Sequence, residues 1–321
     1  MGKGRSKTFR NMEKKWNMIK IDLSIIIVTY KSEKLIIKCL DSIYESDFDT
    51  NFEVIISDNS PNSATETVIK KALSKYPNLT FIKNKKNEGF SRGNNIAIKK
   101  ATGEFVLFLN PDMVLEKDTL GGMLEFVKSK NNIGAATCKV NLLDGSLDDS
   151  CHRGFPTPWA AFFHFTKISK LFPKIKVFSG YNMTYLDFSK THEIDSLAGS
   201  FMIMPFSVGR DLNWWDEDFF FYGEDIDFCY RIKQKGLSIY FVPKYKALHY
   251  KGASSGIKKI SKDLSTANKQ TIRWATRQRF KAMEIFYDKH YKKKYPAFVR
   301  SLVLFGIKLK YNITKVTNGL N

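Results

Sequence analysis

Residues 219–231, with the sequence FFFYGEDIDFCYR, place three acidic side chains within four positions directly after four aromatic ones. Acidic residues are common in the first turn of a helix because the helix dipole stabilises negative charge there. That alternative does not account for the aromatic side chains beside them. A carboxylate among aromatic rings is partly desolvated, which raises its proton affinity toward that of a general base. This run is therefore a candidate site for proton abstraction.

A second candidate is Asp112, in the sequence Asn110-Pro111-Asp112 that follows the apolar run Phe105–Leu109. Proteins bind Mg²⁺ or Mn²⁺ with one or two carboxylates together with phosphate oxygens of the substrate. Asn-Pro-Asp is also an ordinary turn sequence, and its position alone does not decide between the two. His249 lies in a predicted polar loop, residues 247–256, whose small residues after the histidine could close over a bound anion, although a lone histidine is more often structural.

The sequence NEGFSRGNN, residues 87–95, is a glycine-containing turn that opens a predicted helix. A helix start of this kind can present backbone N–H groups and Arg92 to an anion. It does not match the dinucleotide-binding fingerprint, because Gly89 and Gly93 have the wrong spacing. Taken alone, the turn is compatible with a phosphate-containing ligand and does not identify one.

Strands that alternate with helices must position these groups. Continuous apolar runs predict strands buried on both faces, and periodic apolar positions between them predict helices. This alternation implies an open parallel sheet with helices on both faces, which binds ligands beyond the carboxyl ends of its strands. Polar clusters lie at three of those ends, at 29–30, 58–60 and 110–112. The predicted strands are 23–29, 52–57, 79–82, 105–109, 133–140, 194–204 and 237–242, and the predicted helices are 32–43, 63–76, 89–101, 117–130 and 224–235.

Together these segments resemble the family 2 glycosyltransferases, which are inverting enzymes of the GT-A fold. The resemblance covers about residues 21–256. It rests on SIIIVTYKSEKLIIKCLDSI, VIISDNS, NEGFSRGNN, FLNPD and FYGEDIDFCYR, which occur in the order and at the spacing of that family. The combination of NEGF, NPD and the Glu-Asp-x-Asp run is most similar to the bacterial rhamnosyltransferase branch, which builds cell-wall or surface polysaccharide.

The resemblance implies a GT-A fold with an open mixed sheet. The pattern of the tail from residue 265, which lies outside the resemblance, predicts a C-terminal helical extension. It implies that Asp225 is the catalytic base and that Asp112 and His249 bind Mg²⁺ or Mn²⁺. Asn110 departs from the usual Asp-x-Asp metal motif because it is neutral. The residues that the resemblance assigns to the nucleotide sugar are Thr29, Tyr30, Asp58, Asn87, Gly89, Arg92, Asn94, Asn110 and Glu224.

The chain has 321 residues and a net charge of +20, which is unevenly distributed. Residues 1–20 carry +6 and residues 257–321 carry +13, whereas residues 21–256 carry +1. We therefore predict a basic arm (1–20), a glycosyltransferase domain (21–256) and a basic aromatic helical tail (257–321). Four scattered cysteines argue against a disulfide scaffold, and neither a signal peptide nor a membrane span is expected.

The basic tail has two interpretations. It can lie on an anionic membrane that holds a lipid-linked acceptor, or it can cap the core with a solvated polar face. We expect a cytoplasmic enzyme, peripheral on the inner face of the plasma membrane. The near-neutral core and the lack of any nucleic-acid-binding motif argue against a nucleic-acid binder, and the two acids argue against an inactive sugar-binding module. The expected donor is dTDP-rhamnose; UDP-hexose or UDP-galactofuranose is the alternative, and the acceptor is a glycan or lipid-linked glycan.

Overall fold

The computed structural model describes residues 20–250 and 268–317. The predicted basic arm therefore lies outside the described residues except for Lys20, and so do residues 251–256 of the predicted loop 247–256. The strands are β1 (Leu23–Thr29), β2 (Phe52–Asp58), β3 (Leu79–Lys83), β4 (Phe105–Leu109), β5 (Met113–Leu115), β6 (Ile133–Leu142), β7 (His192–Glu193), β8 (Phe201–Pro205) and β9 (Ser238–His249). The helices are α1 (Ile36–Tyr44), α2 (Ala64–Ala72), α3 (Gly89–Ile98), α4 (Thr119–Lys128), α5 (Pro158–Phe165), α6 (Ile168–Leu171), α7 (Lys176–Ser179), α8 (Phe206–Asp211), α9 (Glu224–Gln234), α10 (Lys269–His290) and α11 (Ala297–Thr317).

The strands form one mixed sheet in the order β3-β2-β1-β4-β8-β6-β9-β5, with β7 paired to β9. The first four strands are parallel to one another, as the alternation of strands and helices predicts. From β8 onward the pairing is mixed, because β8 runs antiparallel to both β4 and β6. The purely parallel sheet expected from the alternation is thus wrong for this half, and the GT-A fold that the resemblance implies is confirmed.

The hydrophobic core is formed by the buried strands of this sheet and by the helix side chains that pack against them. Every residue of β4 is buried, as are six of the seven residues of β1, which is what a continuous apolar run requires of a strand covered on both faces. The register of β1 on β2 sets Thr29 opposite Asp58, so two predicted polar clusters meet at one edge. The sheet therefore brings together strand ends that are far apart in sequence.

Two local predictions need correction. Residues 247–249 are not a loop, because β9 continues to His249 and pairs there with β5, a short strand that the sequence pattern did not reveal. The predicted strand 194–204 is too long, because β8 begins only at Phe201. The two-residue strand β7 precedes the predicted range. Residues 143–190, whose sequence lacks the periodicity of the predicted strands and helices, contain the short helices α5, α6 and α7.

The C-terminal helices differ in how they contact the rest of the protein. Helix α10 packs on α9 through an aromatic cluster that includes Tyr230, Phe286 and Tyr291. Only Ile307 of α11 is buried. Within the described parts of the chain, none of the helices is long and apolar enough to cross a lipid bilayer.

Candidate functional site

A cavity of about 1730 Å³ opens at the carboxyl ends of the strands, where the sheet pattern predicts a ligand. Predicted site residues from α3, α9 and β9, and from the turns that follow β1 and β4 or precede α3, lie in its lining. Those that line it are Tyr30, Asn87, Gly89, Asn110, Asp112, Glu224, Asp225 and His249. The fold thus brings the two candidate acids of the sequence, at 112 and 225, to a single cavity.

The predicted metal ligands meet on one wall of this cavity. His249 Nε2 lies 3.2 Å from Asp112 Oδ1, and His249 Nδ1 lies 3.0 Å from Asp148 Oδ2. A carboxylate that holds the second nitrogen of an imidazole fixes the ring and directs the first nitrogen at the metal. The oxygen of Asp112 and the nitrogen of His249 are therefore a fitting pair of ligands for Mn²⁺ or Mg²⁺.

This pair does not make a complete metal site. Within residues 20–250 and 268–317, no three histidine, cysteine or acidic side chains converge on a point where an ion could bind. Neutral Asn110 at the first position of the motif is one reason, since an aspartate there would supply a further carboxylate. The remaining ligands must come from the substrate, and Mg²⁺ is commonly held in this way by a diphosphate.

Two carboxylates dominate the electrostatics of His249. Burial lowers its pKa, but the charges and hydrogen bonds of Asp112 and Asp148 outweigh burial and raise the pKa to about 9. In the metal-free protein the imidazolium neutralises part of this buried negative charge. A divalent cation bound there would take over that role.

The predicted base, Asp225, is the second residue of α9 and accepts a hydrogen bond of 2.7 Å from Arg153 Nη2. Both side chains are mostly buried. The sequence led us to expect aromatic walls around the acids of this run, yet the partner of Asp225 is a guanidinium from a segment 72 positions away. Arg153 also donates to the carbonyl of Leu197, which fixes the guanidinium and with it the orientation of the carboxylate.

Glu224 differs from its neighbour in having no such partner. It is 7% exposed, and its Oε2 has no hydrogen-bond partner among the described residues. Burial, and next the charge of Asp225, raise the pKa of Glu224 well above its usual range. A protonated carboxyl at the cavity wall can donate a hydrogen bond to a sugar hydroxyl.

The third acid of the run has a structural role. Asp227 is fully buried and accepts hydrogen bonds from His290 Nε2 at 2.7 Å and from Arg231 Nε at 2.8 Å. Lys289 Nζ lies 2.7 Å from the same carboxylate. Burial opposes ionisation, but His290, Arg231 and Lys289 outweigh it and lower the pKa of Asp227 to about 2. Asp227 therefore anchors α10 to α9.

The turn that begins α3 packs against the aromatic run. Gly89 has a φ of +81°, and a Cβ there would lie 2.5 Å from the carbonyl oxygen of Phe220. That carbonyl accepts a 2.9 Å hydrogen bond from the N–H of Phe90, and Asn87 Oδ1 accepts one from the N–H of Gly89. Glycine is required for this contact because it tolerates positive φ and carries no side chain.

Four of the predicted nucleotide-sugar residues do not line the cavity. Asp58 is fully buried and accepts hydrogen bonds from Thr29, Ser60 and Lys83, so these groups brace the edge of the sheet from below. The amide of Asn94 donates to the carbonyl of Phe90 inside α3. Arg92 points to the surface, where it pairs with Glu88. Arg92 therefore lies outside the cavity that the other residues of its turn line, and its contact with an anion stays a prediction.

Sequence reasoning missed Asp148 and Arg153. Both lie in the stretch 143–190, where neither helical nor strand periodicity points to a function. An available signal was the concentration of acids at Asp144, Asp148 and Asp149 after a predicted strand. Nothing in the sequence shows which of them meets His249, because that contact spans 101 positions.

Comparison with known proteins gives a family model and similar enzymes that match most of the chain. Residues 24–190 match the model of the family described as glycosyl transferase family 2. Rhamnosyltransferase WbbL of Escherichia coli is 30% identical over 236 residues, which cover 70% of this chain and 82% of WbbL. The N-acetylglucosaminyl-diphospho-decaprenol L-rhamnosyltransferase of Mycobacterium tuberculosis is 23% identical, and the match covers 73% and 78% of the two chains.

A solved structure shares the fold. The mannosyltransferase PcManGT of Pyrobaculum calidifontis, in complex with GDP-Man and Mn²⁺, superposes with a TM-score of 0.52 at 16% identity. The match covers 98% of this chain and 91% of that one.

Proposed function

The chain belongs to glycosyl transferase family 2, and from this we propose that it transfers a sugar from a nucleotide donor to an acceptor hydroxyl with inversion at the anomeric carbon. The observation that carries the proposal is the single cavity that presents Asp112 and His249 on one side and Asp225 on α9. A transferase of this kind needs both a group that offsets diphosphate charge and a base for the acceptor.

The bond changes follow from these roles. Asp225 accepts the proton of the acceptor hydroxyl, whose oxygen then forms a bond to the anomeric carbon. The bond from that carbon to the diphosphate oxygen breaks, and the electron pair leaves with the nucleoside diphosphate. Attack from the face opposite the leaving group inverts the centre, through a transition state with oxocarbenium character.

Other residues of the chain hold these groups in place. Arg153 fixes the orientation of Asp225, and Asp148 fixes the ring of His249. A bound Mg²⁺ or Mn²⁺, held by Asp112 and His249, would supply charge neutralisation at the leaving diphosphate. Glu224, whose pKa is raised by burial, would donate a hydrogen bond to a sugar hydroxyl when protonated. Tyr30 and Asn87 line the cavity near β1 and α3.

For the donor we propose dTDP-rhamnose, in the synthesis of a cell-wall or surface polysaccharide. The similarity to two rhamnosyltransferases supports this choice. The alternative is a UDP-linked hexose or galactofuranose. For the acceptor we propose a diphospholipid-linked sugar, since the mycobacterial relative is named for such an acceptor.

We also propose that the protein works at an anionic membrane surface, on the cytoplasmic side. Twelve of the fifteen exposed large apolar side chains among the described residues lie in two segments, 159–177 and 298–316. Helix α11 contains four basic residues and no acid, and residues 166–177 contain four more basic residues and no acid. We call these two segments together the apolar rim. Exposed apolar groups flanked by cations are what binds a protein to the interface of an anionic bilayer.

The deciding experiment measures nucleotide release from UDP-, dTDP- and GDP-sugars with a diphospholipid-linked acceptor, with and without Mg²⁺ or Mn²⁺. We expect turnover with dTDP-rhamnose that requires the metal. In Asp225→Asn, turnover should fall by about 10²- to 10⁴-fold while donor binding, measured by calorimetry, is retained, because only the proton acceptor is lost. Asp211→Asn, at an exposed acid outside the cavity, is the matched control.

Two results would contradict the proposal. Full activity of Asp225→Asn would remove the assigned base. A lack of turnover with every donor would favour a sugar-binding module that has the fold without the reaction.

A further inference from the structure

The cavity is larger than one nucleotide sugar requires. Small-ligand sites are typically about 300–1,000 Å³, whereas this cavity measures about 1730 Å³. Its inner part is polar and contains Asp112, Asp225 and His249, and its outer part is enclosed by α5, α10 and α11. The surplus volume therefore lies toward the apolar rim.

We propose that the outer part of the cavity, between α5 and α11, holds the lipid chain of the diphospholipid-linked acceptor. This inference rests on the proposed function and adds to it a binding groove for one half of the acceptor. The groove is lined by Trp159, Phe162, Leu302, Gly306, Leu309 and Ile313.

The chemistry of the lining favours a hydrocarbon occupant. Trp159 is 64% exposed and Leu302 is 65% exposed, although both border a cavity that is continuous with the polar site. Apolar side chains in such a position lose contact with water only when something apolar covers them. A nucleotide sugar is too polar to do so, whereas a polyprenyl chain is apolar along its whole length.

Two further observations describe the shape of the groove. Gly306 lines it, and a Cβ at this position would meet no atom within 4 Å. Across the groove, Lys310 Nζ of α11 lies 5.9 Å from the ring centroid of Phe165 in α5. The two helices therefore approach each other at one point and leave open space beside Gly306.

Positively charged side chains line the cavity together with the apolar ones. Arg279 and Lys310 line the same cavity, and α11 contains no acidic residue to neutralise them. A diphospholipid has its two phosphates between the sugar and the chain. A chain in the groove, with its sugar near Asp225, would place those phosphates among these cations.

The test uses a fluorescent long-chain polyprenyl phosphate and its short-chain analogue, each titrated into the full-length protein. Gly306→Phe adds an aromatic ring at a position where the first side-chain carbon would meet no atom within 4 Å. We expect it to weaken binding of the long-chain probe by about tenfold or more, the effect of displacing about two methylene groups, and to leave the short-chain probe unaffected. Gly306→Ala, which adds one methyl group, and Ser301→Phe, which adds the same ring to an exposed position outside the groove, should bind as the wild type does.

Transfer assays with long-chain and short-chain acceptors separate this inference from the proposed function. Gly306→Phe should raise KM for the long-chain acceptor alone and leave kcat unchanged. Equal binding of the long-chain probe by Gly306→Phe and wild type would overturn the groove, even if sugar transfer is intact. A wild type that binds the probe but transfers no sugar would overturn the proposed function and leave the groove supported.

Discussion

Helices α10 and α11 are of nearly equal length, at 22 and 21 residues, and both are basic and rich in apolar side chains. Helix α10 buries Phe280, Phe286 and Tyr287, and its last turn pairs with a buried carboxylate of α9. Helix α11 buries only Ile307 and exposes Phe298, Leu302, Phe305, Leu309, Ile313 and Val316. Two basic amphipathic helices of nearly equal length thus have opposite relations to the core.

The difference lies in what faces each helix. The aromatic rings of Phe219 and Tyr230 lie opposite α10 and cover most of its apolar face. The charge of Asp227 pairs with Lys289 and His290 at the C-terminal end of the helix. Among the described residues, no element covers the outer face of α11. The ion pair that joins α11 to α10, between Arg300 and Asp288, is exposed. Whether a basic amphipathic helix is covered or exposed in this protein therefore depends on the elements that face it.

The largest expected effect comes from removing the anchor of α10. Asp227→Ala should lower the free energy of unfolding by about 3–5 kcal/mol, because it leaves His290, Lys289 and Arg231 without their shared buried carboxylate. Chemical denaturation would measure this. Asp288→Ala removes the exposed ion pair between α10 and Arg300, and it should lower the free energy of unfolding by no more than about 1 kcal/mol. Equal losses in the two variants would contradict the assignment of Asp227 as the anchor.

A second, smaller effect is expected in α11 and only at membranes. Phe305→Glu should weaken binding to anionic vesicles by about 10- to 100-fold, because one large apolar side chain is withdrawn from the interface and a negative charge is added. The free energy of unfolding should not fall, since Phe305 is 65% exposed. Flotation with vesicles would measure binding, and Phe305→Leu, which stays apolar, is the control. If Phe305→Glu floats with the vesicles as the wild type does, the alternative interpretation is favoured, in which the tail caps the core and its polar face is solvated.

The smallest expected effect concerns the charge of the rim. Lys174→Ala and Lys308→Ala should each weaken binding to anionic vesicles by about 1 kcal/mol and leave binding to neutral vesicles unchanged. The same measurement at high salt should remove the difference between these variants and the wild type, because exposed charges are screened. A loss of the same size on neutral vesicles would show that the lysines act through packing instead.

Much of the fold could be predicted from the sequence because its signals are local. The run Phe105–Leu109 is a strand with the predicted limits, since five consecutive apolar residues fit a strand buried on both faces. The short strand β5 could not be predicted, because three residues carry too little pattern and Met113–Leu115 becomes a strand only by pairing with the end of β9. The same pairing converts the predicted loop around His249 into sheet.

The candidate site was predictable in part for the same reason. Asp112 and Asp225 follow recognisable segments and meet at the cavity, whereas Arg92 follows an equally recognisable turn and faces solvent. The three acids of residues 224–227 look alike in sequence, yet one is paired with arginine, one has an unpartnered oxygen and one anchors a helix. Which atom a side chain meets depends on the face of the helix that the packing turns inward.

By itself, the sequence determined the alternation of strands and helices, the acids at the ends of the strands and the separation of a neutral core from basic ends. These follow from apolar periodicity and from charge, which are properties of short stretches of chain. The tertiary structure alone decided that Asp148 holds His249 across 101 positions, that Arg153 holds Asp225 across 72, and that α10 is covered while α11 is exposed. Such contacts depend on the path of the whole chain, because a side chain's partner is set by packing between distant elements.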